Sequence, residues 1–208
     1  MQDSTVTRVL RIDSGVGGTG SVSRELGDEI IRRLHRDSPR LVIDHVDLTN
    51  GIDAIDHDWV AANFTMPAER DATAGDRLVD SDRAIAALSA ADAVVITAPI
   101  YNFSIPSTLK AWIDHVCRAG VTFRYTPQGP QGLLADRPVY LAMASGGVAF
   151  GSAADFASTY LRHVLGFIGI ADVRLVGAAG VARERGAAIA AALDQLDQWL
   201  PALAGEAA

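Results

Sequence analysis

Residues 92–99 read DAVVITAP, a nearly unbroken apolar run rich in β-branched side chains. A strand of this composition is covered on both faces, as in a parallel sheet with crossover helices above and below. The flanks agree. Before it, Leu78–Ala90 carries Leu78, Ala84, Ile85 and Leu88 on one side of a helix. After it, Leu109, Trp112, Ile113 and Val116 recur at helical steps of three and four, and Pro106 suits that helix's first turn.

The alternation continues outward. Val6–Asp13 (VTRVLRID) reads as a strand, Ser21–His35 as a helix through Val22, Leu26, Ile30, Ile31 and Leu34, and Leu41–Leu48 (LVIDHVDL) as a second strand. Towards the other end come a strand at Pro138–Ala144 (PVYLAMA), a helix at Ala153–Phe167, a strand at Val173–Gly177 and a long closing helix at Arg183–Leu203. Five strands alternating with five helices predict an α/β parallel sheet with helices on both faces. Two strand orders compete, the flavodoxin-like 2-1-3-4-5 and the Rossmann 3-2-1-4-5. In either, ligands sit beyond the carboxyl ends of the strands near the switch point. The segments after strands 1, 3 and 4 are therefore the ones to read for chemistry.

Two stretches break the rhythm. Thr49–Arg77, with Trp59, Phe64, Met66 and Pro67, has the length of a lid or a partner-contacting surface. Val121–Leu134, with Phe123, Tyr125, Pro127, Gly129, Pro130 and Gly132, reads as an excursion before strand 4. The tail Ala204–Ala208 is expected to fray.

Composition narrows the class. The 208 residues suit one domain, 1–208, and 49% apolar residues are enough for a core. The one cysteine, Cys117, forms neither an intrachain disulfide nor a cysteine cluster, which suits a reducing compartment. A net charge of −7 argues against general binding to nucleic acid or anionic membrane. No stretch approaches the roughly 20 apolar residues of a membrane span, and Met1–Thr7 is polar with no signal-peptide core. The expected setting is the cytoplasm.

Asp13–Ser23 reads DSGVGGTGSVS. Gly15, Gly17 and Gly20 spell G-x-G-x-x-G between a strand and a helix, the dinucleotide fingerprint by letter, and Asp47 could serve as its ribose acid. The hydroxyls favour another reading. Ser14, Ser21 and Ser23 surround a helix start, where free N–H groups and the dipole attract a phosphate monoester. The plain alternative makes Ser21 an N-cap with no ligand. Pro99–Phe103 (PIYNF) ends strand 3 in a bend whose Tyr101, Asn102 and Phe103 either wall a planar ring or pack inward. Ala144, Ser145, Gly146 and Gly147 end strand 4, where paired glycines permit close approach to a flat ligand or simply turn the chain.

Taken together, the S-x-S start of helix 1, PIYNF-x-IPSTLK-x-W-x-D, AGVTFRYTPQGPQGLL, the SGG turn and YLRHVLGFIGI closely resemble the FMN-dependent NADH-azoreductases. These are flavodoxin-like NAD(P)H:quinone oxidoreductases. The resemblance spans most of the chain and is weakest in Thr49–Arg77. It implies a flavodoxin-like three-layer sandwich of order 2-1-3-4-5 and a homodimer with two interface FMN sites. NADH or NADPH would be the donor, and quinones or azo compounds the acceptors. It places phosphate contacts at Ser14 or Gly15 and at Ser21, Val22 and Ser23. Isoalloxazine contacts fall at Pro99, Ile100, Tyr101, Asn102 and Phe103, and at Ala144, Ser145, Gly146 and Gly147. Phe123 and Phe167 fall on the substrate side. Val22 stands where some members have glutamine, Gly15 where some have serine, and Ser145 where some have arginine. The flavin carries the hydride, so no catalytic acid–base residue is implied. Asn102 and Gly146 are the expected tuners of the ring.

Other candidates read as structural. The five histidines show no metal-ligand spacing, and no metal is expected. Asp53, Asp56, His57 and Asp58 form an acidic cluster best read as a solvated loop. His115 is expected to be solvated or interfacial, Arg118 solvated, Trp112 packed in the core or a dimer contact, and Cys117 buried and inert. Arg124 could attract a nucleotide phosphate. The rival functions are an NAD(P)-binding Rossmann dehydrogenase and a flavodoxin-like electron carrier or receiver module. A receiver needs an acidic cluster after strand 1, where Asp13 stands alone.

Overall fold

The computed structural model describes residues 6–201 except Thr19. The Ala204–Ala208 tail and the end of the expected closing helix lie outside them. Along the chain run β1 (Thr7–Asp13), α1 (Val22–Asp37), β2 (Leu41–Asp47), α2 (His57–Phe64), α3 (Ala72–Ala90), β3 (Ala93–Pro99) and α4 (Ser107–Val116). Then come β4 (Phe123–Thr126), β5 (Gly129–Gly132), β6 (Val139–Ser145), α5 (Phe156–Ile168), β7 (Val173–Ala179) and α6 (Arg185–Leu196).

The main sheet has five parallel strands in the order β2-β1-β3-β6-β7. Counting those strands alone, this is 2-1-3-4-5, and the Rossmann order is excluded. The period of two along each strand splits the core cleanly. Leu10, Ile12, Val94, Ile96, Leu141 and Met143 face α3, α4 and α5. Val9, Val95, Tyr140, Ala142 and Val176 face α1 and α6. The outer edge of β7 is met by the Gln195 side chain, whose Oε1 accepts from Gly177 N at 3.0 Å while its Nε2 donates to Gly177 O at 3.4 Å.

Several boundaries differ from expectation. The Thr49–Arg77 stretch contains α2, a 3-10 turn at Pro67–Glu69 and the first turns of α3, so six helices are present among the described residues. Asp56 and Asp71 cap α2 and α3 by accepting from Trp59 N and Ala74 N. α5 starts later than expected because Asp155 caps it and accepts from Ser158 N. α6 is shorter than the expected Arg183–Leu203. The Val121–Leu134 excursion is the two-stranded β4–β5 hairpin.

Arg118 corrects a second expectation. It is 1% exposed, not solvated. Its Nε donates to Asn63 Oδ1 at 2.9 Å, and its Nη1 donates to Ser81 Oγ at 3.2 Å and pairs with Asp82. One guanidinium thus ties α2 to α3 and to the foot of the hairpin. His115 is buried as well, with Nε2 bonded to Asp53 O at 2.7 Å and its ring edge-on to Trp59. Trp112 lies in the core.

Cys117 follows α4, half-buried. Burial, with the Asp114 charge beside it, pushes its thiol up to about 11. Two units above an ordinary thiol mean about a hundredfold less thiolate at pH 8. Alkylation by iodoacetamide at pH 8 is therefore expected to run about a hundredfold slower in folded than in urea-unfolded protein; equal rates would contradict the burial.

Candidate functional site

Three segments meet at the carboxyl edge of the sheet, at the places the strand order dictates. The first is the β1–α1 loop. Ser21 is the N-cap of α1, but no side chain caps the helix. The Ser21 and Ser23 hydroxyls lie 3.3 Å apart. The first-turn N–H groups have no carbonyl partner within the helix, and Arg24 Nε–H is buried and unpartnered. The amides and the two hydroxyls are the donors that fit a phosphate. Gly15 is buried against β3, and a Cβ there would stand 3.0 Å from Pro99 Cδ, so the loop hugs the strand end only without a side chain.

Ser14 is placed differently from its neighbours. It is fully buried, and its hydroxyl donates inward to Thr97 O at 2.8 Å, away from any ligand. Beneath the loop lies Asp13, 1% exposed and bonded to Thr97, Arg11, Arg24 and His45. Burial pushes its carboxyl up, but the hydrogen bonds from Thr97 and Arg11 and the Arg11 charge outweigh that and hold it below the usual carboxylate range. Asp47, the candidate ribose acid, accepts from the Thr49 hydroxyl and amide and from Arg24, which bring it to about 2. Its Oδ1 is already engaged three times, which weakens the dinucleotide reading of the glycines.

The second segment is the turn after β3. Tyr101 N donates to Ser104 O at 2.9 Å and Ser104 N to Tyr101 O at 3.0 Å. Between them Asn102 (φ 49°) and Phe103 (φ 70°) both adopt left-handed backbone. Such a tight turn requires φ > 0 at both central positions. Asparagine tolerates it, but for phenylalanine it is costly, about 1 kcal/mol or more. Strain of this kind gathers at functional sites. Tyr101 and Phe103 stay exposed, so the inward-packed alternative for this turn is not what forms. Tyr101 Oη accepts from Val16 N at 3.3 Å and links this turn to the first loop. A cavity of about 530 Å³ opens beside it, lined by Tyr101, Asn102, Ile105, Lys110 and Tyr160 among others.

The third segment follows β6. Ile100 N donates to Ala144 O at 2.8 Å and joins the second and third segments. Ser145 is buried, and its Oγ accepts from Gly147 N at 3.3 Å and Val148 N at 2.7 Å. It shapes the turn from within, whereas Gly146 and Gly147 are exposed.

Phe123 and Phe167 stand elsewhere. Their rings pack at 4.4 Å, with Tyr125 edge-on to Phe123. Both belong to the opposite end of the sheet, since α5 runs from the carboxyl edge at Phe156 to the amino edge at Ile168. Phe167 is roughly 16 Å along that helix from Phe156. In one chain these rings cannot share a pocket with Tyr101–Phe103. Arg124 lies on the exposed hairpin, bonded to Gln131. Among the described residues no cluster is placed to hold a metal, and no helix is long and apolar enough to cross a membrane.

The chain is similar to known proteins over nearly its whole length. Residues 7–200 match the flavodoxin-like fold family. An FMN-dependent NADH:quinone oxidoreductase 1 of Jannaschia sp. is 47% identical over 83% of this chain and 88% of its own. That of Hahella chejuensis is 43% identical over 83% and 85%. Among solved structures, an FMN-dependent NADH-azoreductase from Bacillus anthracis in complex with FMN is 25% identical, covering 93% of this chain and 97% of its own at a TM-score of 0.81. The chain therefore belongs to the flavodoxin-like fold family, among its FMN-dependent NADH:quinone oxidoreductases.

Proposed function

We propose that the protein is an FMN-dependent NAD(P)H oxidoreductase that reduces quinones and cleaves aromatic azo compounds to amines. The observation that carries this reading is the convergence of three ligand-ready segments at one switch point: an uncapped, hydroxyl-rich helix start, a strained aromatic turn and a glycine turn. The relatives' names support the same chemistry.

In this reading Ser21, Ser23 and the amide of Val22 hold the FMN phosphate. Gly15 contributes by close approach, and Ser14 only by fixing the loop to β3. The backbone from Pro99 to Phe103 and from Ala144 to Gly147 lies along the ring edge. There the amides of Asn102 and Gly146 would face the edge of the ring, and the exposed Tyr101 and Phe103 rings would shield it from water. Bound FMN supplies hydride transfer between nicotinamide and acceptor. Donor and acceptor would take turns at the bound cofactor, a ping-pong order, and this chain's residues would need no acid–base triad.

A second copy completes the site. Phe167 lies at the far end of its own chain, backed by Phe123, which is buried in the core; a two-fold dimer would bring Phe167 over the partner's ring.

Purified protein is expected to be yellow, to bleach with NADH and to regain colour when a quinone is added. Protein that takes up no flavin on reconstitution rejects the reading. Bleaching without reoxidation by quinone or azo dye favours an electron carrier.

A further inference from the structure

We infer that Arg24 is the positioning residue of the phosphate loop, acting through Gly15, Asp47 and Thr49. The inference rests on the FMN reading above. The loop carries Gly15, Gly17, Gly18 and Gly20, and such a segment has little shape of its own. Ser14 and Tyr101 pin its first residues to β3 and to the turn after it, and one guanidinium ties it to the helix start and to β2. Arg24 lies in the first turn of α1. Its Nη1 donates to Asp13 Oδ2 at 3.2 Å. Its Nη2 is shared among Thr49 Oγ1 at 2.6 Å, Asp47 Oδ1 at 3.0 Å and Gly15 O at 3.4 Å.

One side chain thus joins the helix start, the end of β1, the loop backbone and the end of β2. Asp13 extends the clamp sideways, held by Thr97 on β3 at 2.8 Å and His45 on β2 at 2.9 Å. The charge of Arg24 is met by two carboxylates, so its main effect is to place other donors. Those donors depend strongly on placement, because Val22 offers no side-chain hydrogen bond between Ser21 and Ser23. Hydroxyls and amides bind a phosphate only where the backbone aims them. The ring contacts at Tyr101–Phe103 and Gly146–Gly147 do not touch Arg24. Loosening the clamp should therefore weaken recognition of the phosphate and spare the ring.

The test compares FMN with riboflavin, which has the same ring and no phosphate. Dissociation constants are read from quenching of flavin fluorescence. Arg24→Gln is expected to weaken FMN binding about tenfold while riboflavin changes less than about twofold. Arg24→Lys should fall between, since an ammonium cannot bridge as many partners. Asp47→Asn and Thr49→Val should shift FMN in the same direction by a smaller factor. Asp47 is 41% exposed, so its variant keeps the test open should the Arg24 variants fail to fold.

Parallel losses for both flavins, or an unchanged FMN-to-riboflavin ratio, overturn the inference. So does tighter FMN binding by Asp47→Asn, which would mark Arg24 as a direct phosphate ligand released from its carboxylate. Wild-type protein that binds neither flavin instead overturns the cofactor reading beneath it.

Discussion

Gly132→Ala is expected to unseat the β4–β5 hairpin. A Cβ at this position would stand 2.2 Å from Gly169 N and 2.4 Å from Ile168 C. Both atoms are backbone at the end of α5 and cannot swing aside as a side chain would. Gly169 meets the hairpin from the other side, in left-handed conformation with Leu134 O where its own Cβ would go. The hairpin must therefore lift, losing the bond from Leu134 N to Ile168 O and loosening the Phe123–Phe167 contact. Overpacking against backbone should cost about 3 kcal/mol or more. For a chain of this size that lowers the melting temperature by about 6–12 °C. Gly186→Ala in α6 is the control, since nothing lies within 4 Å of its Cβ and alanine favours a helix. A Gly132→Ala melt matching wild type would show that the contact is slack. Quinone turnover should fall with the hairpin, because the displaced Phe123 backs Phe167, which is proposed to cover the partner's ring.

Arg118→Ala should have an effect of similar size for a different reason. The guanidinium is buried, but its counter-charge Asp82 is largely solvated, so the Coulombic part is screened. The loss comes from the stranded Asn63 and Ser81 polar atoms and from the space left at the junction of α2, α3 and the hairpin. About 3 kcal/mol is the expected cost, read from the urea midpoint. Arg118→Met restores volume without donors and should recover only part. Local behaviour separates this anchoring from general destabilisation. Limited proteolysis in native buffer should cut Arg118→Ala between residues 49 and 71 while the sheet stays intact. An uncut segment with an unchanged midpoint would remove Arg118 from this role.

The sheet was legible because its signal is local. VTRVLRID and DAVVITAP state strand and burial within eight residues, and the switch-point rule then points to the three loops. The alternation of elements leaves two strand orders open, and it is the resemblance carried by motifs such as PIYNF, not the Gly15–Gly20 spacing, that points to the order observed. α2 was missed because HDWVAANF buries only Trp59 and Ala62, too few for a helical period. Asp71, three residues before Ala74, is a cap that spacing alone can signal, but no apolar period follows it until Leu78. Arg118 gave no local sign of burial, since its partners lie 36, 37 and 55 residues away. The hydroxyls of Ser14 and Ser145 look like those of Ser21 and Ser23 in sequence. Only the fold shows that the first pair is spent on the chain's own backbone. The distance of Phe123 and Phe167 from the loops follows from helix direction, which the element order already contained.

The Gln195 amide on the outside of β7 has a consequence for how copies of this chain can meet. Its two bonds to Gly177 occupy the middle of that strand's free ladder, much as one residue of a further strand would. A second molecule adding edge to edge must first displace it. Open-ended growth of sheet upon sheet is thereby blocked at this border. At this border, contact between copies is left to the helix and loop faces beside the strand.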